Sequence, residues 1–380
     1  MGKTILVGII LSGFVLTKGV DAQLGGIDAE FAGAGARPLS MGGAFLGLAD
    51  DSTAAEFNPA GMRVLRRPEV ALQVTHTFDE RDEYLPLSSL DNGVRGEDRN
   101  EWSTPSFFSY VHPGQKYTWA ITQLTNIDFI HEYQDAMTGP DETRILKSHT
   151  EATNNAFGLT IATDLCPRLH LGLTLRMNRF DYLYEEKQFV QSEFANQAGV
   201  TGFREFTDWS PSVNLGVLWR ASQKWSFGSV YKSGQVVETS DFKTSLPQTF
   251  GIGTAYHPND RIRLLADVDY ITWSDFDSVP SDTFKRSDVM RYHLGGEYLF
   301  CLEEERAWFV RCGLMREDAN AMFYDGPYNP FLSPGFPQED DRNHVSLGLG
   351  LATEKYQVDL AVDQVLSDGT MLILSMIKYF

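Results

Sequence analysis

The chain has no uninterrupted apolar run long enough to cross a bilayer as a helix. Its longest, Ile5 to Leu16, is about a dozen residues, short of the ~20 that a spanning helix needs. If the protein enters a membrane, it does so as strands. Cysteine is scarce too: Cys166, Cys301 and Cys312 are the only three in 380 residues. They lack metal-ligand spacing and read as incidental, although an exported chain could oxidise a pair. Basic residues are outnumbered, 32 Lys and Arg against 51 Asp and Glu, and the net charge of -19 argues against a nucleic-acid partner. No nucleophile motif, Walker loop or dinucleotide fingerprint occurs. His170 and His293 lack the partner pattern of a metal site or a general base. The sequence therefore predicts no enzyme, no cofactor and no metal.

What is present begins with an export signal. Lys3 precedes the apolar run, and Val20-Asp21-Ala22 puts small residues where a signal peptidase reads. Residues 1–22 are expected to be cleaved, with the mature chain starting near Gln23. A membrane anchor would need a longer run, and no cysteine follows for lipid attachment. With 42% hydrophobic residues and a mean hydropathy of -0.24, the chain looks soluble on average. A transmembrane barrel looks the same, because half of each strand faces a polar lumen.

After Pro68 the chain has a rhythm. Short polar turns fall at His112-Pro113-Gly114-Gln115, 164–168, 222–224, His257-Pro258-Asn259-Asp260, 302–306 and Glu354-Lys355. Long irregular connections are expected near 78–104, 135–147, 186–207, 233–245, 276–287 and 317–341, with a tight one at Ser367-Asp368-Gly369. The first carries a concentration of acid: Asp79, Glu80, Asp82, Glu83, Asp91, Glu97, Asp98 and Glu101. Six turns interleaved with seven loops connect about fourteen strands.

Alternation gives the strands two faces. Leu171, Leu173, Leu175 and Met177 oppose His170, Thr174, Arg176 and Asn178; Tyr356, Val358, Leu360 and Val362 oppose Gln357, Asp359 and Asp363. Ile262, Leu264, Val268 and Tyr270 oppose Arg261, Arg263, Asp267 and Asp269. A soluble sandwich shows such alternation in reverse sense, so one segment decides nothing. The export signal, the even strand count and the one-sided long loops together predict an all-β transmembrane antiparallel barrel in the outer membrane of a diderm bacterium. Aromatics near the turns (Trp119, Trp219, Trp225, Trp308, Tyr256) and a terminal Phe380, of the form expected for barrel-assembly machinery, agree.

Between signal and strands lies Ala32 to Met62, rich in glycine and alanine and too apolar to float free in water. It reads as a plug over residues 23–67, inside a barrel formed by 68–380. Asn58-Pro59 fixes a turn, and Gly42-Gly43 permits backbone shapes that other residues resist. Either a moving wedge or a rigid stopper fits.

The segment Leu246 to Phe276, LPQTFGIGTAYHPNDRIRLLADVDYITWSDF, resembles a pattern of the FadL/TodX outer-membrane transport proteins. The plug resembles that family's hatch in its Gly42-Gly43-Ala44 block, in Ala49-Asp50-Asp51 and in Phe57-Asn58-Pro59-Ala60-Gly61. The resemblance implies a fourteen-stranded barrel for passive uptake of long-chain fatty acids, detergent-like lipids or aromatic hydrocarbons, acting as a monomer among outer-membrane lipids. It implies hatch roles for Gly42, Gly43, Asp50, Asp51, Asn58, Pro59 and Ala60. It also implies a kink in the third strand that opens a side exit, yet Tyr117 to Tyr133 contains neither glycine nor proline, which leaves lateral release in doubt.

Candidate ligand contacts are the aromatic loop 322–336, with Phe323, Tyr324, Phe331, Leu332 and Phe336, which serves equally as a contact surface or as a lid core. A second set is Phe189, Val190, Phe194, Val200, Phe203 and Phe206, a candidate for short amphipathic helices beside the entrance. Arg176, Arg291 or Arg311 could hold a substrate carboxylate, although a cross-strand ion pair such as Glu297–Arg311 is the favoured reading. The alternative function is that of a PorV-like barrel, which the hatch also resembles, acting as a shuttle or scaffold for secreted cargo proteins.

Overall fold

The computed structural model describes residues 33–85, 94–138, 142–192, 196–238, 243–275, 284–319, 323–327, 341–366 and 369–380. The expected export signal and the candidates Phe194, Phe331, Leu332 and Phe336 lie outside them. Fourteen antiparallel strands close into one barrel. In chain order these are β1 (Glu69–Leu85), β2 (Val94–Pro113), β3 (Tyr117–Thr138), β4 (Glu142–Cys166), β5 (Leu169–Ser192), β6 (Asn196–Trp219) and β7 (Trp225–Lys232). Then come β10 (Thr249–Asn259), β11 (Ile262–Ile271), β13 (Val289–Leu302), β14 (Arg306–Glu317), β16 (Arg342–Thr353), β17 (Tyr356–Val365) and β18 (Thr370–Tyr379). Pairing of Glu69 with Tyr379 closes the ring. Two small pairs sit outside it: β8 (Gln235–Glu238) with β9 (Lys243–Leu246), and β12 (Phe284–Lys285) with β15 (Phe323–Tyr324).

The predicted faces are observed. On β5, Leu175 is 53% exposed while its neighbour Arg176 is 9% exposed, so the apolar side meets lipid and the polar side meets the lumen. Trp219 and Trp209, both exposed on β6, are separated by about 26 Å along the barrel axis at ~3.4 Å rise and ~40° tilt, close to the ~25 Å apolar band of such barrels. Trp219 stacks on Phe227 and Trp225 on Tyr256 in the lower girdle. All three cysteines are free.

The wall is lopsided, and here the expected loops need correction. Strands β3 to β6 run 22–25 residues, against 10–12 for β10, β11, β16, β17 and β18. The regions read as loops near 78–104, 135–147 and 186–207 are mostly paired strand, out to Leu85 opposite Val94, Thr138 opposite Thr143 and Gln191 opposite Asn196. Beyond the bilayer the outer face of a hairpin meets water instead of lipid, so its outward residues lose their apolar signature and the sequence looks like loop. Phe189, Val190, Val200, Phe203 and Phe206 accordingly lie on β5 and β6, not on helices.

Inside the barrel sits the hatch, with two single-turn helices, α1 (Ala36–Leu39) and α2 (Ala54–Phe57), and a 3-10 turn, Pro59–Val64. Its Met41, Ala44, Phe45, Ala49, Ala54 and Met62 are fully enclosed. Glycines of the wall let hatch backbone touch wall backbone: a Cβ on Gly228 would lie 1.9 Å from the carbonyl oxygen of Leu46, and one on Gly172 would lie 2.2 Å from the carbonyl carbon of Pro59. Gly228→Val should therefore unseat the hatch at a cost of about 1–3 kcal/mol or more. The check is limited proteolysis of the purified barrel: faster cleavage at Arg63 and Arg67 is expected, with unchanged heat-modifiable migration, whereas lipid-facing Leu175→Val should change neither.

Candidate functional site

Each expected hatch residue has a seat. Asn58 is extended at φ -147°, which its Pro59 neighbour favours. Its side-chain oxygen accepts from the Ala60 N–H at 3.2 Å, and its Nδ2 donates to the carbonyls of Leu46 at 3.0 Å and of Val217 on β6 at 2.9 Å. One side chain thus ties two hatch turns to the wall. Gly42 has φ +65° and its carbonyl accepts from His293 of β13 at 2.6 Å. Asp267 of β11 accepts from the N–H groups of Phe45 and Leu46 at 2.6 and 2.7 Å.

Charge does the rest. Arg37 of the hatch bridges Asp50 at 2.7 Å, Asp51 at 2.8 Å and Glu297 of β13 at 2.9 Å. Glu297 also pairs with Arg263 and with Arg311, and Arg311 reaches Asp359 at 2.8 Å. Arg311 is 2% exposed and held between two carboxylates, so it is a wall residue rather than a ligand contact. Arg176 pairs with hatch Glu56, as does Lys232 at 3.2 Å, and Arg291 pairs with Glu317.

Above the hatch lies a cavity of about 210 Å³. Leu39, Leu46 and Phe57 form its floor; Leu124, Val230, Ile271, Met315 and Met371 give it apolar walls. Arg176 and Arg291 line it, each already paired. Higher still, the inward face of β5 changes character. The parity that carries Thr174, Arg176 and Asn178 continues as Phe180, Tyr182 and Tyr184, all buried. These pack with Ile127, Val237, Leu246, Ile271 and Trp273 into an apolar cluster at the outer mouth. Phe206 stacks on Phe180 and Tyr182, with centroids 6.1 and 5.2 Å apart. Leu246 and Ile271 belong to both cluster and cavity, so the two are continuous. Phe189 and Phe203 point outward and are exposed. Phe323 is half-buried in the small β12–β15 pair, which also contains Tyr324, and Phe323 does not line the cavity.

Of this cluster the sequence singled out Phe206 as a candidate contact but not Phe180, Tyr182 or Tyr184, though aromatic residues on the lumen parity of β5 were a visible signal.

It also missed a seam. The β2–β3 ladder runs from Pro113 opposite Thr118 up to Phe107 opposite Leu124, and among the described residues it goes no further. Above that point β2 stays paired to β1 and β3 to β4. The break has two causes. Pro105 has no N–H to donate, next to a bulge at Ser106 where Gln73 faces Phe107 and Val74 faces Pro105. Opposite, β3 carries a bulge at Asn126 between Thr125 and Ile127, and bulges bend a strand away from its partner. The seam opens roughly 16 Å above the β2–β3 turn, within the apolar band. Leu124 and Asn126 line the cavity, and Ile127 joins the mouth cluster.

Glu56 makes the hatch seat sensitive to acid. Burial opposes its ionisation, but Arg176 and Lys232 outweigh burial and hold its carboxyl below the usual carboxylate range. A pKa depressed on folding stabilises fully above the unfolded value of ~4.3 and is lost as pH falls through the depressed value. Proteolytic release of the hatch should therefore rise as pH drops below about 4, and Glu56→Gln should show fast release already at pH 7, because it leaves buried Arg176 without its counter-charge.

The comparisons agree with this geometry. A search of curated proteins finds no match. Among solved structures the chain is similar to a Pseudomonas aeruginosa FadL homologue, at 14% identity and a TM-score of 0.69, covering 92% of this chain and 99% of that one. It is similar to the Ralstonia pickettii toluene transporter TbuX, at 14% identity and TM-score 0.63, with 93% and 99% covered. The Pseudomonas putida toluene transporter TodX gives 13% identity and TM-score 0.64, with 93% and 99% covered. At such identities the likeness is one of fold. The family model for outer membrane protein transport proteins (OMPP1/FadL/TodX) matches residues 27–243, which include the whole described hatch and stop just short of the Leu246 to Phe276 segment. With more than half of its length matched and the hatch-filled fourteen-stranded barrel in place, the chain belongs to the OMPP1/FadL/TodX family of outer-membrane transport proteins.

Proposed function

We propose that this barrel admits small hydrophobic molecules passively, taking them in at the mouth cluster, holding them in the cavity above the hatch and releasing them sideways between β2 and β3 into the bilayer. The observation that carries this reading is the seam: a gap in the ladder at membrane depth, touching the cavity on one side and lipid on the other. Hydrophobic solutes cross a water-filled lumen poorly, and a lateral exit spares them that step. In this scheme the hatch is a fixed floor, since its polar backbone is bonded to the wall at Asp267, His293 and Val217.

The size of the cavity favours a single ring or a short chain. At about 210 Å³ it falls below the ~300–1,000 Å³ of drug-sized pockets, and a long-chain fatty acid would have to extend up into the mouth cluster. Burying the ~150–250 Å² of an aromatic ring is worth at most roughly 4–6 kcal/mol at ~25 cal/mol/Å². That corresponds to dissociation constants between about 40 μM and 1 mM, tight enough to capture and weak enough to release. The scaffold alternative finds less support. The acidic region 78–104, a candidate loop for docking cargo, is largely paired strand.

Closing the seam tests the reading. Deleting Asn126 removes the extra residue of the bulge, and Pro105→Thr restores a donor. Together they should extend the β2–β3 ladder and lower uptake of radiolabelled toluene by expressing cells about tenfold, with barrel folding unchanged on a heat-modifiability gel. Uptake at the unmodified rate would remove the seam from the route.

A further inference from the structure

Where the β2–β3 ladder ends, wall and hatch share one side chain. Gln73 of β1 is 2% exposed and faces inward between Leu72 and Val74, which face lipid. Its Oε1 accepts from the N–H of Gly35, and its Nε2 donates to the Gly33 carbonyl at 3.2 Å. The same Nε2 lies 2.9 Å from Oγ of Ser106 and 3.0 Å from Oγ1 of Thr75, and those two hydroxyls bond to each other at 2.7 Å. One buried amide thus grips the hatch entry with both its ends and the β2 bulge with its nitrogen.

Ser106 is the extra residue of that bulge. It takes no partner in the register between β1 and β2, and it and Phe107 are both buried while Pro105 is exposed. A regular strand sends successive residues to opposite faces, so the bulge reverses which residues of β2 face inward above Phe107. A buried hydroxyl there needs hydrogen-bond partners, and Gln73 and Thr75 supply them. From the hatch side Ala34 completes the joint: fully buried, it packs in one cluster with Ala71, Ile377 and both residues of the last rung, Phe107 and Leu124. Gly35 beside it has φ +84°, and a Cβ there would lie 2.5 Å from Cγ2 of Thr53, so the entry has one seat.

We propose that Gln73 is the positioning residue of the seam: by fastening the seated hatch entry and the β2 bulge to one point of β1, it holds β2 away from β3 and sets the width of the exit. The hatch is then a prop of the side exit as well as a floor. This inference rests on the uptake reading and names the residue that shapes its exit.

Two ring probes of different width test it, radiolabelled toluene and mesitylene, taken up by cells expressing the full barrel. A variant that only lowers the amount of folded barrel reduces both by one factor, so the ratio of mesitylene to toluene uptake reads the exit itself. Gln73→Leu keeps the bulk and loses every bond, Ser106→Ala removes the hold on the bulge alone, and Gly35→Ala strains the entry from the hatch side. Each should lower uptake of mesitylene about tenfold and of toluene only about threefold, and Gln73→Leu combined with Ser106→Ala should be no worse than Gln73→Leu, because the two act as one unit. If Gln73→Leu does not fold, Ser106→Ala and Gly35→Ala decide. A ratio that does not fall in these variants overturns the inference while leaving the uptake reading intact. Failure of the unmodified barrel to raise uptake of either ring above that of cells lacking it overturns both.

Discussion

Everything in this barrel depends on how an irregular backbone survives at membrane depth. Chain that is neither helix nor strand cannot meet lipid, because its N–H and C=O groups would go unbonded. The hatch escapes that penalty because the wall supplies partners where it needs them. Asp267 receives two consecutive N–H groups, His293 donates to the Gly42 carbonyl, and Ser375 accepts from the N–H of Ala36 at 3.1 Å. Asn58 spends both ends of its amide on backbone. Close approach is needed for all of these, and the side-chain-free faces of Gly172 and Gly228 allow it. Arg37, reaching two hatch carboxylates and one from the wall, adds a charge cluster whose members are individually costly to bury and so costly to separate.

A floor held this firmly shapes what happens above it. The cavity is bounded below by apolar hatch side chains, on its sides by paired charges and above by the aromatic face of β5. With the downward path filled, the proposed way out is the gap between β2 and β3, whose ladder ends at Phe107 opposite Leu124 among the described residues. Tall strands β3 to β6 carry the mouth cluster beyond the bilayer on one side of the ring only, which lets a short hairpin, β8–β9, fold over the opening and contribute Val237 and Leu246.

Much of this was legible in the sequence wherever lipid and water act on opposite faces of one strand. There, alternation is compulsory, so the strand number, the six short turns and the sidedness of β5, β11 and β17 could be read directly. Outside the bilayer the outer face meets water instead of lipid, and Glu80 to Leu85 or Val94 to Glu101 carry no sequence pattern that separates strand from loop. The hatch was visible as composition, but its partners Asp267 and His293 are more than two hundred residues away and only closure of the barrel brings them near. The end of the β2–β3 ladder was not legible in Tyr117 to Tyr133, which holds neither glycine nor proline: Pro105 is on the neighbouring strand, and the bulge at Asn126 has no compositional mark. The aromatic cluster was overlooked because Phe180, Tyr182 and Tyr184 look like a lipid face until their parity is counted from Arg176.

The central claim is that the hatch stays in place while substrate leaves through the wall. Locking hatch to wall tests it most directly. Ser375 Oγ of β18 lies 3.1 Å from the backbone nitrogen of Ala36 in the hatch, so the two positions are close enough for a disulfide between their side chains. With Cys166, Cys301 and Cys312 replaced by serine, the pair A36C and S375C can be oxidised to staple the hatch to the wall. The account predicts equal rates of toluene uptake by oxidised and reduced barrels. Loss of uptake on oxidation, restored by a reductant, would show that the hatch must move.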